Sequence, residues 1–167
     1  MRAMLARRSW LVLLALVASP LVVAPLAAQS ATSAAPAAPT GARLTAIRTA
    51  LIRRATEVQQ RWTDSLPDLH ATASETGFAS AGDEADVVLS LRGEGLVYAV
   101  CDDSCSGVTF RLLDADGREL ARSAAVDGVQ AVAFAGGHNW GPGTIARVRM
   151  LGCRQAPCGF RLTVMLK

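Results

Sequence analysis

Tyr98-Ala-Val-Cys101-Asp-Asp-Ser-Cys105 carries an alternating apolar run into a cysteine, turns through acidic and small residues, and meets a second cysteine. The chain closes on a similar device, Cys153-Arg-Gln-Ala-Pro-Cys158. Both pairs lie between runs with the period of β-strands, which predicts a small disulfide-stapled β-domain outside the cytoplasm.

Outward from the first pair, the period of two recurs. Val87, Leu89 and Leu91 alternate with Val88, Ser90 and Arg92, and Leu96, Tyr98 and Val100 follow the turn Gly93-Glu-Gly95. Val108, Phe110 and Leu112 form a third run, Glu119 to Val126 a weaker one, and Val129 to Ala135 a fifth. Ile145 to Met150 and Phe160 to Leu166 complete seven short strands. Strands of this length with frequent turn signals predict an antiparallel sandwich or barrel over residues 77–167. The fold expected is an all-β, jelly-roll-like sandwich of about seven to eight strands, preceded by one amphipathic helix.

Four thiols could in principle hold zinc, but structural zinc sites favour tighter knuckles than Cys101-x3-Cys105 and Cys153-x4-Cys158. Two disulfides are the better expectation. Four cysteines allow three connectivities. Cross-loop bonds are open if both loops fall at one end of the sandwich, while local pairing, Cys101 with Cys105 and Cys153 with Cys158, needs no long-range search and is preferred.

Asp114-Ala-Asp116-Gly117 resembles a calcium loop only in part. The register that fits it to an EF-hand puts Leu112 and Ser123 where carboxylates are required. A hairpin turn with Gly117 at positive φ is expected instead. Gly136-Gly-His138-Asn-Trp140-Gly-Pro-Gly143 is the most conspicuous loop. His138 and Trp140 are candidate contact residues there, since loop aromatics often anchor proteins and sugars. The plainer expectation is that Trp140 folds back over an open end of the sandwich.

Before the β-domain the period becomes helical. Leu44, Ile47, Leu51, Ala55, Val58 and Trp62 share one face of a helix over 43–62, and the opposite face carries Arg43, Arg48, Arg53, Arg54 and Arg61. A lone helix of this length is marginal in water, so it must cover a surface. Packing on its own β-domain is the favoured expectation; a partner met through Arg48, Arg53 and Arg54 is the sharper one. Residues 63–76 open an acidic stretch, running to Asp86 without a Lys or Arg, and read as a solvated linker with a lone exposed His70.

Residues 1–28 have the order of a secretory signal: Arg2, Arg7 and Arg8, an apolar block from Trp10 to Val23, then Ala24-Pro-Leu-Ala-Ala28. Cleavage is expected after Ala28, with Ala34 or Ala35 as later alternatives, and Arg7-Arg8 has the twin-arginine form. An uncleaved anchor over Trp10 to Ala28 is the alternative, approaching the roughly 20 residues that cross a bilayer. Residues 29–42 form an Ala/Pro-rich spacer expected to be disordered. Once the signal leaves, fourteen basic residues face fourteen acidic ones, so the whole-chain charge of +3 does not imply nucleic-acid binding. The remaining chain fits one domain.

Several of these stretches together resemble the bacterial pre-peptidase C-terminal-like domains in their stand-alone exported form. They are Gly77-Phe78, Val87 to Leu91, Arg92-Gly93-Glu94-Gly95, Tyr98, Cys101 to Cys105, Phe110 to Gly117 and Cys153 to Leu162. The resemblance spans residues 77–167. It implies a jelly-roll-like sandwich that serves as a non-catalytic accessory or binding module. Some members of that family bind calcium near the third strand, but here Ser106-Gly-Val108-Thr-Phe110 lacks the expected Asp-x-Asp. No cofactor is expected.

No nucleophile elbow, phosphate-binding glycine loop, HExxH or paired catalytic carboxylates can be assembled. The sequence therefore points to a periplasmic or secreted non-enzymatic module that binds an extracytoplasmic protein or cell-wall polysaccharide. The alternative is a membrane-held structural subunit of an envelope complex.

Overall fold

The computed structural model describes residues 39–126, 129–135, 140 and 142–167. The expected signal peptide, most of the spacer and His138 lie outside the described residues.

Helix α1 runs over Gly41–Ser65, about 38 Å at 1.5 Å per residue. Thr40 caps it, its hydroxyl accepting from the Arg43 amide, and the helix stops ahead of Leu66-Pro67, where proline disfavours helical geometry in the preceding residue. It is longer at both ends than the apolar spacing of 43–62 suggested, because Thr40 and Pro67 set the limits.

Nine strands follow among the described residues: β1 His70–Ala79, β2 Glu84–Ser90, β3 Gly95–Cys101, β4 Cys105–Leu113, β5 Glu119–Arg122, β6 Ala124–Val126, β7 Val129–Phe134, β8 Pro142–Cys153 and β9 Cys158–Leu166. They form two antiparallel sheets, β1-β9-β3-β7-β6 and β2-β8-β4-β5. With β6 set aside as an added edge, this interleaving is the strand order of a jelly roll. The expected all-β sandwich preceded by one helix is what the chain forms.

Two expectations change. The acidic linker over 63–76 does not stay a linker: β1 begins at His70 and pairs with β9 from His70↔Leu166 to Ala79↔Cys158. Its first half hides from pattern reading because an edge strand with exposed sides needs no alternation, and its residues from His70 to Ala73 are all exposed. The weak run Glu119 to Val126 splits at Ser123, where the chain leaves one sheet for the other. The Asp114 turn is as expected, with Gly117 at φ 81° and the Asp114 carboxylate accepting from the Asp116 and Arg118 amides.

The sandwich interior is built from Val97, Ala99, Phe160, Leu162 and Val164 on one sheet, facing Leu89, Val108, Phe110, Val148 and Met150 on the other. A second core lies on the far side of the five-stranded sheet. Ile47, Leu51, Ala55 and Val58 of α1 are buried there against Leu96, Tyr98, Val100 and Met165. The centre of that sheet is therefore covered on both faces, which is why β3 is buried almost throughout. Gly159 permits the close approach, since a Cβ there would lie 2.4 Å from Ile47 Cγ2 and 2.8 Å from Leu51 Cδ1.

Tyr98, the only tyrosine in the chain, ties the two layers together. Its buried hydroxyl donates to the Ala55 carbonyl at 2.9 Å. Burial raises the pKa of this phenol, outweighing the opposite influence of Thr163 and Arg161. Because the folded value is raised, the associated stability is present below the unfolded value of about 10 and is lost as pH rises through the folded value. Ultraviolet difference absorbance reads this single group. Its ionisation is expected to occur above pH ~10 and to accompany alkaline unfolding; titration near the ordinary value with the circular dichroism unchanged would contradict this. Tyr98→Phe is expected to lower stability in urea by about 1 kcal/mol.

Candidate functional site

The two cysteine pairs sit side by side at one end of the sandwich. Cys101–Cys105 and Cys153–Cys158 are the disulfides, and no free thiol remains, so the four sulfurs are not available as zinc ligands. Cys105 and Cys153 are register partners in the β4–β8 ladder, which brings the loops into contact.

Asp102 joins them. Its side chain is nearly inaccessible, at 2% exposure. Oδ1 accepts from the Ser104 amide at 2.8 Å, the Ser104 hydroxyl at 2.7 Å and the Cys105 amide at 3.1 Å. Oδ2 accepts from the Gly159 amide at 2.8 Å, just beyond the second disulfide. Burying a carboxylate is costly unless its lone pairs are satisfied, and here four donors converge on two oxygens. Backbone bonds reinforce the junction: the Asp102 amide donates to the Gly159 carbonyl at 3.1 Å and the Arg154 amide to Ser104 at 2.8 Å. The Arg154 guanidinium also donates to the Asp103 carbonyl.

Helix α1 grips both loops through arginines. Arg43 donates to the carbonyls of Ala156 at 2.9 Å and Pro157 at 3.4 Å, and also to Gln155. Arg54 donates to the Cys101 carbonyl at 2.8 Å and pairs with the Asp103 carboxylate at 2.5 Å. The five-donor fork of arginine suits such convergent acceptors.

The arginine face expected from the sequence is thus divided. Arg54 is turned down onto the first loop. Arg53 remains largely exposed, pairing with Glu57 at 3.1 Å and more distantly with Asp103 at 3.9 Å. Arg48 places its guanidinium carbon 5.9 Å from the centre of the Phe78 ring, a cation–π contact at the surface. Trp140 is half-buried, its ring 5.5 Å from that of Phe134 and packed against the sandwich interior, so much of its indole is committed inward. His70 is exposed on β1.

Arg43, placed by the sequence only on the arginine face of the helix, and Asp102 and Asp103, read only as turn residues, are the site residues that sequence reading did not propose. A signal was present for one of them: Asp102-x-Ser104 is the spacing at which an aspartate oxygen caps a tight turn. Nothing local marks Arg43, whose acceptors lie more than a hundred residues away.

The outer face of the four-stranded sheet is a separate, charged surface. Arg147 holds Asp86 in a two-pronged pair at 2.8 Å for both bonds, Arg122 pairs with Glu119 at 2.8 Å, and Arg111 reaches Glu84 at 3.4 Å. The hydrogen bond from Arg147, followed by the charges of Arg147 and Arg111, lowers the pKa of Asp86 despite partial desolvation. Such exposed pairs set local shape more than they stabilise the fold.

The sequence matches no protein-family model, and comparison with curated proteins finds no match. What the stapled end can do follows from its construction. Two short loops, a buried carboxylate and two arginine clamps fix backbone in place, which suits a rigid contact surface. Among the described residues no group of three His, Cys, Asp or Glu side chains is placed to hold a metal ion.

Asp102→Ala, with both disulfides intact, is expected to lower stability in urea by roughly 2–4 kcal/mol because it strands several buried donors at once. Asp102→Asn keeps one good acceptor and is expected to fall between wild type and alanine. An unchanged urea midpoint for Asp102→Ala would show that the carboxylate does not join the loops. Arg54→Met is expected to cost about 1–2 kcal/mol and to speed amide exchange in α1 more than in the sandwich interior. Equal acceleration in both layers would mean that the helix and sheet open as one unit.

Proposed function

We propose that the chain is an exported, non-catalytic β-sandwich module that binds or scaffolds an extracytoplasmic protein or a cell-wall polysaccharide. The observation that carries this reading is the pair of adjacent disulfides locked to one another through Asp102 and to α1 through Arg43 and Arg54. Disulfides persist in oxidising compartments, and a stapled end of this kind serves to hold surface loops in one shape. The signal-like order of residues 1–28 and the resemblance of 77–167 to pre-peptidase C-terminal-like domains support the same reading. Among the described residues no helix is long and apolar enough to cross a membrane.

Protein from the native host is expected to have lost residues 1–28 by intact mass and to be retained either on insoluble cell wall or on a protein of the host envelope extract. Hydrolysis of a peptide, ester or glycan substrate by the purified protein, abolished by a single substitution such as His70→Ala, would overturn the non-catalytic reading. A native mass that includes residues 1–28 would turn the choice to the membrane-held subunit.

A further inference from the structure

The four-stranded sheet contains an edge that its topology leaves open. β4 pairs with β8 along its length, from Cys105↔Cys153 to Leu113↔Ile145, but β5 covers only Arg111, Leu112 and Leu113 on the other side. At Ser123 the chain departs. The Ser123 amide donates to the Phe110 carbonyl at 2.9 Å, its hydroxyl accepts from the Phe110 amide at 3.0 Å, and Ala124–Val126 then join the other sheet as β6. The N–H and C=O of Val108, two residues before Phe110, face the same side as those of Phe110, because backbone groups alternate along a strand. Among the described residues no strand pairs with Cys105–Thr109 on that side.

This edge borders a groove. A cavity of about 620 Å³ is lined by Cys105 to Val108, by Val129 of β7, and by Arg54 and Arg61 of α1. Arg54 is engaged with Cys101 and Asp103, whereas the Arg61 guanidinium has no ion-pair or hydrogen-bond partner among the described residues. Exposed Leu151 adds an apolar lip. An unpaired strand edge supplies backbone donors and acceptors for an added strand, and a cation at its side selects what that strand carries. The edge is roughly 16 Å long at about 3.3 Å per residue, enough to seat a short segment; the Cys105 and Gly107 amides are already engaged with Asp102 and the Cys105 sulfur, so Val108 is the residue that supplies the backbone bonds.

We infer that the Cys105–Thr109 edge of β4 binds an extended peptide segment of a partner protein. The segment lies in line with β5, its backbone bonds Val108, and a carboxylate on it, from an acidic side chain or a chain end, meets Arg61. This deepens the binding-module reading and rests on it. Charge complementarity is what commits the site to an acidic peptide, since Arg61 is the groove's unengaged cation and the neighbouring Glu57 is paired with Arg53.

The test is selection of random peptides of about eight residues, displayed on phage, against the oxidised full protein, followed by fluorescence anisotropy with the recovered peptides. The expected result is enrichment of acidic peptides whose affinity falls about tenfold or more with Arg61→Glu. Arg48→Glu, at the Phe78 surface, should change it by less than about twofold. Methylating peptide nitrogens one at a time should weaken binding at alternate positions, and amide exchange of Val108 should slow in the complex. Any of three outcomes overturns the proposal: no peptide recovered, affinity indifferent to Arg61→Glu, or protection located elsewhere. Retention of the Arg61→Glu protein on cell wall or on a host protein at wild-type strength would leave the broader binding reading standing while removing this site. Loss of all retention by wild-type protein would remove the broader reading itself.

Discussion

The structure depends on a carboxylate placed where water cannot reach it. Asp102 belongs to the first of two disulfide loops that lie about fifty residues apart in the chain, and its oxygens accept from donors within that loop and from Gly159, just beyond the second. A disulfide across four or five residues restricts little chain entropy, so neither bridge alone is a large source of stability. Their effect lies in geometry. Each closes a loop tightly enough that backbone amides point inward at fixed positions, and Asp102 turns those two local shapes into one surface. Removing the carboxylate group would leave donors without partners in a site too closed for water to replace it.

Helix α1 extends the same logic outward. A cluster of arginines on one helix suggests an acidic partner, and acidic groups do meet it, but from within the chain and with backbone carbonyls playing the larger part. Arg43 reads three successive carbonyls of the second loop, and Arg54 reads a carbonyl and a carboxylate of the first. The helix is thus fastened near its start and middle by polar contacts, while Ile47, Leu51, Ala55 and Val58 provide the apolar seal along its buried face. Full burial of Ile47, Leu51 and Val58 contributes about 1.5–3 kcal/mol each, and Ala55 less, so the seal supplies most of the attraction and the arginines fix the register. Gly159 lies where the two meet: a Cβ there would run into Ile47 and Leu51 of α1, while the Asp102 carboxylate would stand at ordinary contact distance, 3.6 Å.

Sequence periodicity revealed the sandwich because several strands, such as Val87 to Leu91 and Val108 to Leu112, alternate between the interior and a more accessible face. It revealed the helix for the same reason at a different period. Local cysteine pairing was legible from loop length. The first half of β1 was not legible: Ala71, Thr72 and Ala73 are all exposed, so nothing about burial selects their order, and pairing with β9 alone makes them a strand. Trp140 shows a different limit. Its loop composition left display and folding back both open, with folding back the plainer expectation, and which way the aromatic points is set by the ring of Phe134 at the end of β7. The Arg43 contact was hidden most completely, because its acceptors are ordinary carbonyls whose identity carries no signal at all.

The short β5 has a consequence for how the two sheets are finished. A jelly roll hands its chain from sheet to sheet, and here the handover at Ser123 comes while half of β4 still lacks a neighbour. Proteins commonly protect such edges with charge, proline, bulges or a covering element. β4 uses bulges, at Cys105/Gly107 and Gly107/Val108, and these twist the start of the strand into the stapled end. The edge is therefore held rigid by the disulfide of its own first residue and by Asp102, while α1 overhangs it with Arg54 and Arg61. An edge that is rigid, recessed and overlooked by positive charge discourages pairing with a second identical edge, which would bring its own arginines with it. It leaves room for a single added strand of opposite charge. The same construction that disfavours pairing between two such edges thus narrows the kind of chain that would fit beside β4.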